Sequence, residues 1–487
     1  MRGKKGIFLA IASLLVLLLV ASCGERAESS IAFTHVNLVP MTGETVVEDQ
    51  TVVIEGGMIV AIGDAADVPI PAGARVIDGG GAYLMPGLAD MHVHTRQDWQ
   101  DRDIWPVDPL HLYLAKGVTT IRDLGPTGSS LDYALQWRDE IGAGRRDGPT
   151  IYASGELLYA SPLDDPAGIV RSNHERGFDL LKVYSYLSPE DFRQAMAAAR
   201  ELGLYTTGHV PYAVGLDGVL AEGMDEIAHV EELLPEFIDF DRSRDLAPAE
   251  WLPYIVEAAL GQWDLSSGGL PAGFEAQHTA TLASITDRLR SAGVPVCTTM
   301  DIDDIIQWKL FRVEGFLARP ENVYQEQGYL ESLRRGEEKH QVQFAGIEGL
   351  AAAKYEIDRW LLAGLREAGV VLLLGTDSGT GGMGLVPGYT AHDELQILVE
   401  NGFSPYEAIA SGTVNAALVV ERMTGEGNFG TVEVGRRADL ILVAGNPLED
   451  VATIREPLGV MAAGRWYDAA ALAGLITPAG SAGGRGE

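Results

Sequence analysis

The chain has 487 residues, 46% of them hydrophobic and 22% charged, with a formal net charge of −33. Its length exceeds one ordinary core and suits a barrel of about 250–350 residues plus a smaller module. The composition excludes a disordered or multi-span protein, and so negative a surface repels phosphate backbones, which excludes nucleic acid as a partner.

Arg2, Lys4 and Lys5 precede an apolar stretch from Ile7 to Val20, too short for a spanning helix of about 20 residues. The stretch ends in Val20-Ala21-Ser22-Cys23, which resembles a bacterial lipobox. That resemblance implies a signal peptide over residues 1–22, export, and attachment to the cell-envelope membrane through acyl chains on Cys23. An ordinary secretory signal is the competing reading. Gly24 rather than Asp follows the cysteine, which by the same resemblance points to the outer membrane where there is one. Residues 23–30 read as a tether. Only Cys297 then remains, so no intrachain disulfide is available, and its apolar setting marks it as a packed core thiol.

From residue 31 to 86 the pattern is β-rich. Thr51–Glu55, Gly56-Gly57 and Met58–Ile62 predict a tight hairpin. A second β-rich patch spans 424–470, with Ala438–Val443 and Gly459–Trp466. Neither patch can bury a core alone, so the two are expected to form one β-sandwich from both ends of the chain. Residues 471–487 read as a flexible tail.

Between the patches, over residues 87–423, apolar strands alternate with amphipathic helices, the pattern of a parallel α/β architecture. The predicted strands are Gly87–His94, Val118–Leu124, Thr150–Ser154, Leu180–Ser185, Tyr205–Val210, Glu226–Val230, Val294–Thr299 and Val370–Asp377. Helices are expected over Pro189–Glu201, Thr279–Ala292, Tyr355–Ala368 and Thr390–Glu400. Eight strands, each followed by a helix, is the count of a (β/α)8 barrel. Two long stretches near 233–279 and 301–354 read as helical lids over the strand C-termini.

Metal-competent residues fall where these strands end. His92 and His94 close the first strand and point to one side of it, with Val93 facing away. The fourth strand carries Lys182 inside an apolar run, the fifth and sixth end at His209 and His229, and the eighth ends at Asp377. Singly, each has an ordinary reading: a hydrogen-bonded core histidine, a snorkelling lysine, a helix-capping aspartate. Jointly they obey the positional rule of barrel active sites, in which several strands deliver residues to the C-terminal face.

The set Pro86–His94, Lys182, Gly208-His209, His229 and Gly375-Thr376-Asp377 resembles the amidohydrolase superfamily. Leu181-Lys182-Val183-Tyr184, His392-Asp393-Glu394-Leu395 and Gly412–Ala417 carry a narrower likeness to its imidazolonepropionase/prolidase-like group. By that resemblance His92, His94 and Asp377 hold one divalent metal and His209 and His229 a second. Lys182, N-carboxylated by CO2 to a carbamate, bridges the two. Zn²⁺ fits this donor set, and Mn²⁺ or Co²⁺ could substitute. The implied reaction is hydrolysis of an amide C–N bond by a hydroxide shared between the metals, with Asp377 as base and then acid. Substrates of dipeptide (Xaa-Pro) or N-acyl amino acid type are expected, with a cyclic-amide hydrolase and a non-catalytic ligand-binding lipoprotein as the alternatives. A deaminase would carry Glu three residues after the fifth-strand histidine, where this chain has Tyr212. Asp90 either orients His92 or plays a purely structural part. Tyr184, Arg122 and His392 are candidate substrate contacts, each with a plain packing or ion-pairing alternative. The resemblance also leaves room for a homo-oligomer.

Overall fold

The computed structural model describes residues 30–95, 105–125, 132–379 and 383–478. The leader and Cys23, most of the tether and the end of the tail lie outside these residues.

Strands from both chain ends share one eight-stranded sheet. β1 (Ile31–Leu38), β2 (Val47–Glu55), β3 (Met58–Asp64), β4 (Arg75–Asp78) and β5 (Tyr83–Pro86) come from the first patch. β15 (Leu440–Val443), β16 (Gly459–Ala462) and β17 (Arg465–Asp468) come from the second. Their order is β17-β16-β15-β5-β1-β2-β3, with β4 also on β1. The predicted hairpin is the β2–β3 turn, where Gly56 and Gly57 take φ of 57° and 74°, as such a two-residue turn demands. The sheet folds over on itself. Phe33 on β1 and Trp466 on β17 are four strands apart in that order, which at about 4.8 Å per strand would separate them widely in a flat sheet. Their rings instead meet at 5.0 Å. One small core, including Phe33, Val52, Leu84, Leu440 and Met461, fills the fold.

The barrel follows directly. β6 (Leu88–Val93), β7 (Val118–Asp123) and β8 (Thr150–Ala153) form one parallel run. β9 (Leu158–Ala160), β10 (Leu180–Tyr186), β11 (Tyr205–Gly208), β12 (Glu226–Ile227), β13 (Val296–Cys297) and β14 (Leu372–Leu373) form another. Two seams join them. Asp179 N donates to Ala153 O at 3.0 Å and Ser154 bridges Leu180, linking β8 to β10. Met91 N donates to Leu374 O at 2.8 Å and Val93 bridges Ser378, linking β6 to β14. The result is a (β/α)8 barrel in which β9 is an extra strand alongside the far end of β10.

All eight predicted strands occur in order. The last three are shorter than expected, because the chain leaves the ladder where it turns side chains toward the barrel mouth. Thr299 and Asp377, just beyond β13 and β14, take left-handed φ of 49° and 52°. Helix Pro189–Leu202 begins at a Ser188 cap and ends at left-handed Gly203. Helix Glu348–Glu367 begins two turns before the predicted Tyr355. The long stretches are helical as expected, including Pro248–Gln262, Asp301–Phe311 and Gln327–Arg334. The tail starts later than predicted. Ala469–Leu475 is a helix capped by Asp468, and Leu472 anchors it in the core.

Arg122 does not face the barrel mouth. It is fully buried, donates through Nη1 to Glu226 Oε2 at 2.7 Å and through Nη2 to Glu226 Oε1, and its Nε donates to Met91 O at 2.7 Å. Glu226 also accepts from the Tyr205 and Thr207 hydroxyls, each at 3.0 Å. Fully buried and paired with Glu226 inside the barrel, Arg122 is not open to a substrate carboxylate, and that expectation is corrected. Removing one partner strands the other charge in the core. Arg122→Met should therefore cost about 3–5 kcal/mol in denaturant unfolding, and adding Glu226→Leu should recover most of it. A loss below about 1 kcal/mol would show that the pair carries little.

Candidate metal centre

The four strand-end histidines share one tautomeric arrangement. His94 Nδ1 lies 2.7 Å from Gly125 O and His92 Nδ1 3.2 Å from Ala228 O. A carbonyl can only accept, so both Nδ1 atoms carry the proton. His229 Nδ1 contacts Thr299 Oγ1 at 2.9 Å, and that hydroxyl spends its own proton on Thr298 O. His209 Nδ1 meets Glu232 Oε1 at 2.5 Å, while Glu232 Oε2 accepts Val210 N at 2.8 Å. Each neutral ring is thereby left with a bare Nε2, the arrangement by which an outer hydrogen bond orients a metal-ligating imidazole.

Two of those lone pairs converge. His94 Nε2 is 2.9 Å and His92 Nε2 3.4 Å from the same Asp377 Oδ1. The donor atoms of His92, His94 and Asp377 lie within 4.8 Å of one another. Two nitrogen lone pairs facing one carboxylate oxygen repel unless a cation sits among them, so the donor set fits a transition metal. The His229 ring lies 4.4 Å from His92 and 4.8 Å from His209, which extends the imidazole cluster to the fifth and sixth strands.

Charge is distributed unevenly. Burial drives His92 and His229 well below the ordinary histidine value; Lys182 adds to this in both, and His209 in His229. Burial also works against charge on His94, but the Asp377 carboxylate outweighs it and raises the imidazole. Burial would raise Asp377, and the contact with His94 reverses the direction. Lys182 is completely buried, with Nζ 3.3 Å from His92 Nε2. Burial pushes its ammonium down to about 8, against the pull of Asp377 and Glu232.

Two glycines permit this closeness. Gly208 has φ of 155°, and a Cβ there would lie 2.1 Å from Val183 O on β10. At Gly375 a Cβ would lie 2.2 Å from Cys297 Sγ and 2.8 Å from His92 Cβ. Cys297 itself is buried, and burial pushes its thiol well above the ordinary value.

A cavity of about 810 Å³ opens from Tyr184, His209 and Glu232 toward the two helical insertions. Tyr184 stacks on the His209 ring at 4.6 Å, and burial raises its phenol. His392 does not reach this cavity. It is buried with Nε2 2.8 Å from Lys116 O, and burial lowers it to about 3, so its expected substrate role is corrected to a packing one. Asp90 does not touch the His92 ring. It accepts from His92 N at 3.3 Å, Thr376 N at 3.1 Å and Thr376 Oγ1 at 2.6 Å. Glu232 and Thr299, which lock His209 and His229, escaped the sequence reading. Glu232 stands three residues past His229, on the short 3-10 helix Val230–Phe237, and that spacing was the available signal.

The Amidohydrolase family matches residues 354–467. Ochratoxinase from Aspergillus niger is 26% identical across 91% of this chain and 86% of its own length. A Xaa-Pro dipeptidase structure with methionine bound in its active site superposes with a TM-score of 0.61 at 20% identity, covering 90% of this chain and 100% of that one. A prolidase complexed with N-methylphosphonate-L-proline gives 0.61 at 19% identity, with the same coverage. These two structural likenesses speak for the fold. Likeness to ochratoxinase thus runs along nine-tenths of the chain and the Amidohydrolase family pattern spans residues 354–467, from the helix before the last barrel strand into β17; the protein is similar to the amidohydrolases and is a hydrolase acting on carbon–nitrogen bonds.

Proposed function

We propose that the protein is a two-metal amidohydrolase cleaving the amide bond of a dipeptide-like (Xaa-Pro type) or N-acyl amino acid substrate. The observation that carries this reading is the common tautomer of His92, His94, His209 and His229, which leaves each Nε2 bare, with those of His92 and His94 on Asp377 and that of His92 3.3 Å from Lys182 Nζ. In it, His92, His94 and Asp377 would hold one metal and His209 and His229 the other, and Lys182 as a carbamate would serve both. Divalent metals held there supply Lewis acidity, making water nucleophilic near neutral pH and polarising a carbonyl.

The chain's own groups do the rest. Asp377, held ionised by its neighbours, accepts the proton of the attacking water and returns it to the leaving amine. Tyr184, at the inner end of the cavity, presents its hydroxyl to the substrate. Glu232 and Thr299 keep His209 and His229 in register with the scissile bond. The Xaa-Pro dipeptidase and prolidase likenesses support a peptide-like substrate, and ochratoxinase supports the broader amide class. The leader and Cys23 support an exported, lipid-anchored location.

Three outcomes follow. Purified protein should bind about two Zn²⁺, Mn²⁺ or Co²⁺ per chain, measured by elemental analysis. Both uptake and amide hydrolysis should fall in His94→Ala, and a wild-type chain that takes up none would overturn the reading. Lys182→Ala should lose at least about a hundredfold in kcat, partly restored by a short carboxylic acid, because an added carboxylate replaces the bridging oxygens. Full activity without rescue would refute the carbamate. Cys23→Ala should move the protein from the membrane fraction of the expressing cell to the soluble one; unchanged membrane association would refute acyl anchoring.

A further inference from the structure

The cavity beyond His209 is built differently from what a small dipeptide needs. Its volume of about 810 Å³ lies near the top of the roughly 300–1,000 Å³ spanned by small-molecule pockets. One wall is a run of tyrosine rings. Tyr184 and Tyr186 stand two residues apart on β10 and so point to the same side. The extra strand β9 brings Tyr159 against both, with ring centroids 5.2 and 5.7 Å away. Tyr212, in the loop after β11, continues the wall at 5.8 Å from Tyr186. Tyr184 in turn stacks on His209, so the wall leads straight from the candidate metal ligands. Tyr159 is 49% exposed, a large aromatic left open at the cavity edge.

The opposite side comes from the helical insertions and is mostly apolar. Its inner cation is already spent. Lys354 Nζ lies 2.7 Å from Glu231, 2.7 Å from Asp303 and 2.8 Å from Asp358, so its three donors are committed. Lys339 stands at the exposed rim. Carboxylates of Glu231, Glu232 and Asp303 also border the space, which disfavours an anionic group deep inside it.

We infer that the substrate is an amide carrying a large, planar, uncharged aromatic group, which lies along the Tyr159–Tyr184–Tyr186–Tyr212 wall while the scissile bond reaches His209. This rests on the amide-hydrolase reading above and narrows its substrate class. Offset stacking on several rings, together with loss of apolar surface to water, would supply the selectivity.

The experiment uses the metal-loaded full chain and two matched pairs. N-(2-naphthoyl)glycine is compared with N-acetylglycine, and N-acetyl-3-(2-naphthyl)alanine with N-acetylalanine. In at least one pair kcat/KM should favour the naphthyl member by about 30-fold or more. Tyr159→Ala and Tyr186→Ala should each shrink that preference about three- to tenfold. Calorimetric binding of 2-naphthamide against acetamide provides a readout independent of turnover, and the naphthyl probe should bind more tightly in a manner weakened by the same substitutions. If the amides are cleaved without naphthyl preference, or if both substitutions lower the two members of a pair alike, the aromatic wall is refuted while hydrolysis stands. If no amide is cleaved but 2-naphthamide binds in the Tyr159- and Tyr186-dependent manner, the hydrolytic reading fails and the wall stands.

Discussion

Asp90 spans the seam where the barrel closes, accepting from the His92 and Thr376 amides and from the Thr376 hydroxyl. β14 is only two residues long, too short to fix its own register against β6. A slip of one residue would turn every side chain of a strand to the opposite face. His92 and His94 would then look away from Asp377. Burial pushes the Asp90 carboxyl up to about 7, so this register is held at some cost. The cost is offset by three hydrogen bonds in an interior where a satisfied polar group is worth more than in water.

The charges below and around the site follow the same logic. Arg122 and Glu226 neutralise each other inside the barrel, with Tyr205, Thr207 and the Met91 carbonyl completing their shells. A buried pair of this kind is a weak source of stability but an intolerant one, because neither partner can be removed alone. Lys182 is the contrast. It is as deeply buried, yet it faces an imidazole nitrogen instead of a direct carboxylate contact. Desolvation accordingly outweighs the more distant pull of Asp377 and Glu232. The fold thus balances Arg122 with a paired carboxylate and sets Lys182 beside an imidazole nitrogen.

Legibility in the sequence divided along physical lines. The strands and the residues at their ends were readable because a parallel barrel imposes one rule on all of them: apolar runs inside, functional side chains at the C-terminal tips. The hairpin at Gly56-Gly57 was readable because few residues accept two left-handed conformations in succession. Arg122 and His392 were misread for a shared reason. Their positions along strand and helix suggested the barrel mouth, but their partners, Glu226 and the Lys116 carbonyl, lie 104 and 276 residues away in the chain. No local pattern shows such a pairing. Thr299 was invisible for the same cause, since it acts through a histidine on a neighbouring strand, whereas Glu232 had its spacing from His229 to mark it.

One connection between the insertions and the site runs through the 3-10 helix Val230–Phe237. Glu232 on Val230–Phe237 binds His209 toward the barrel axis, while its neighbour Glu231 binds Lys354 toward the insertions. Lys354 also holds Asp303 of helix Asp301–Phe311 and Asp358 of helix Glu348–Glu367. Two adjacent carboxylates thus tie the orientation of an imidazole to the position of the cavity's far wall. Burial of Lys354 opposes its charge, but Asp303, Asp358 and Glu231 prevail and raise it well above the ordinary lysine value. Recognition in the cavity and orientation of His209 therefore share one element, the helical turn that carries Glu231 and Glu232.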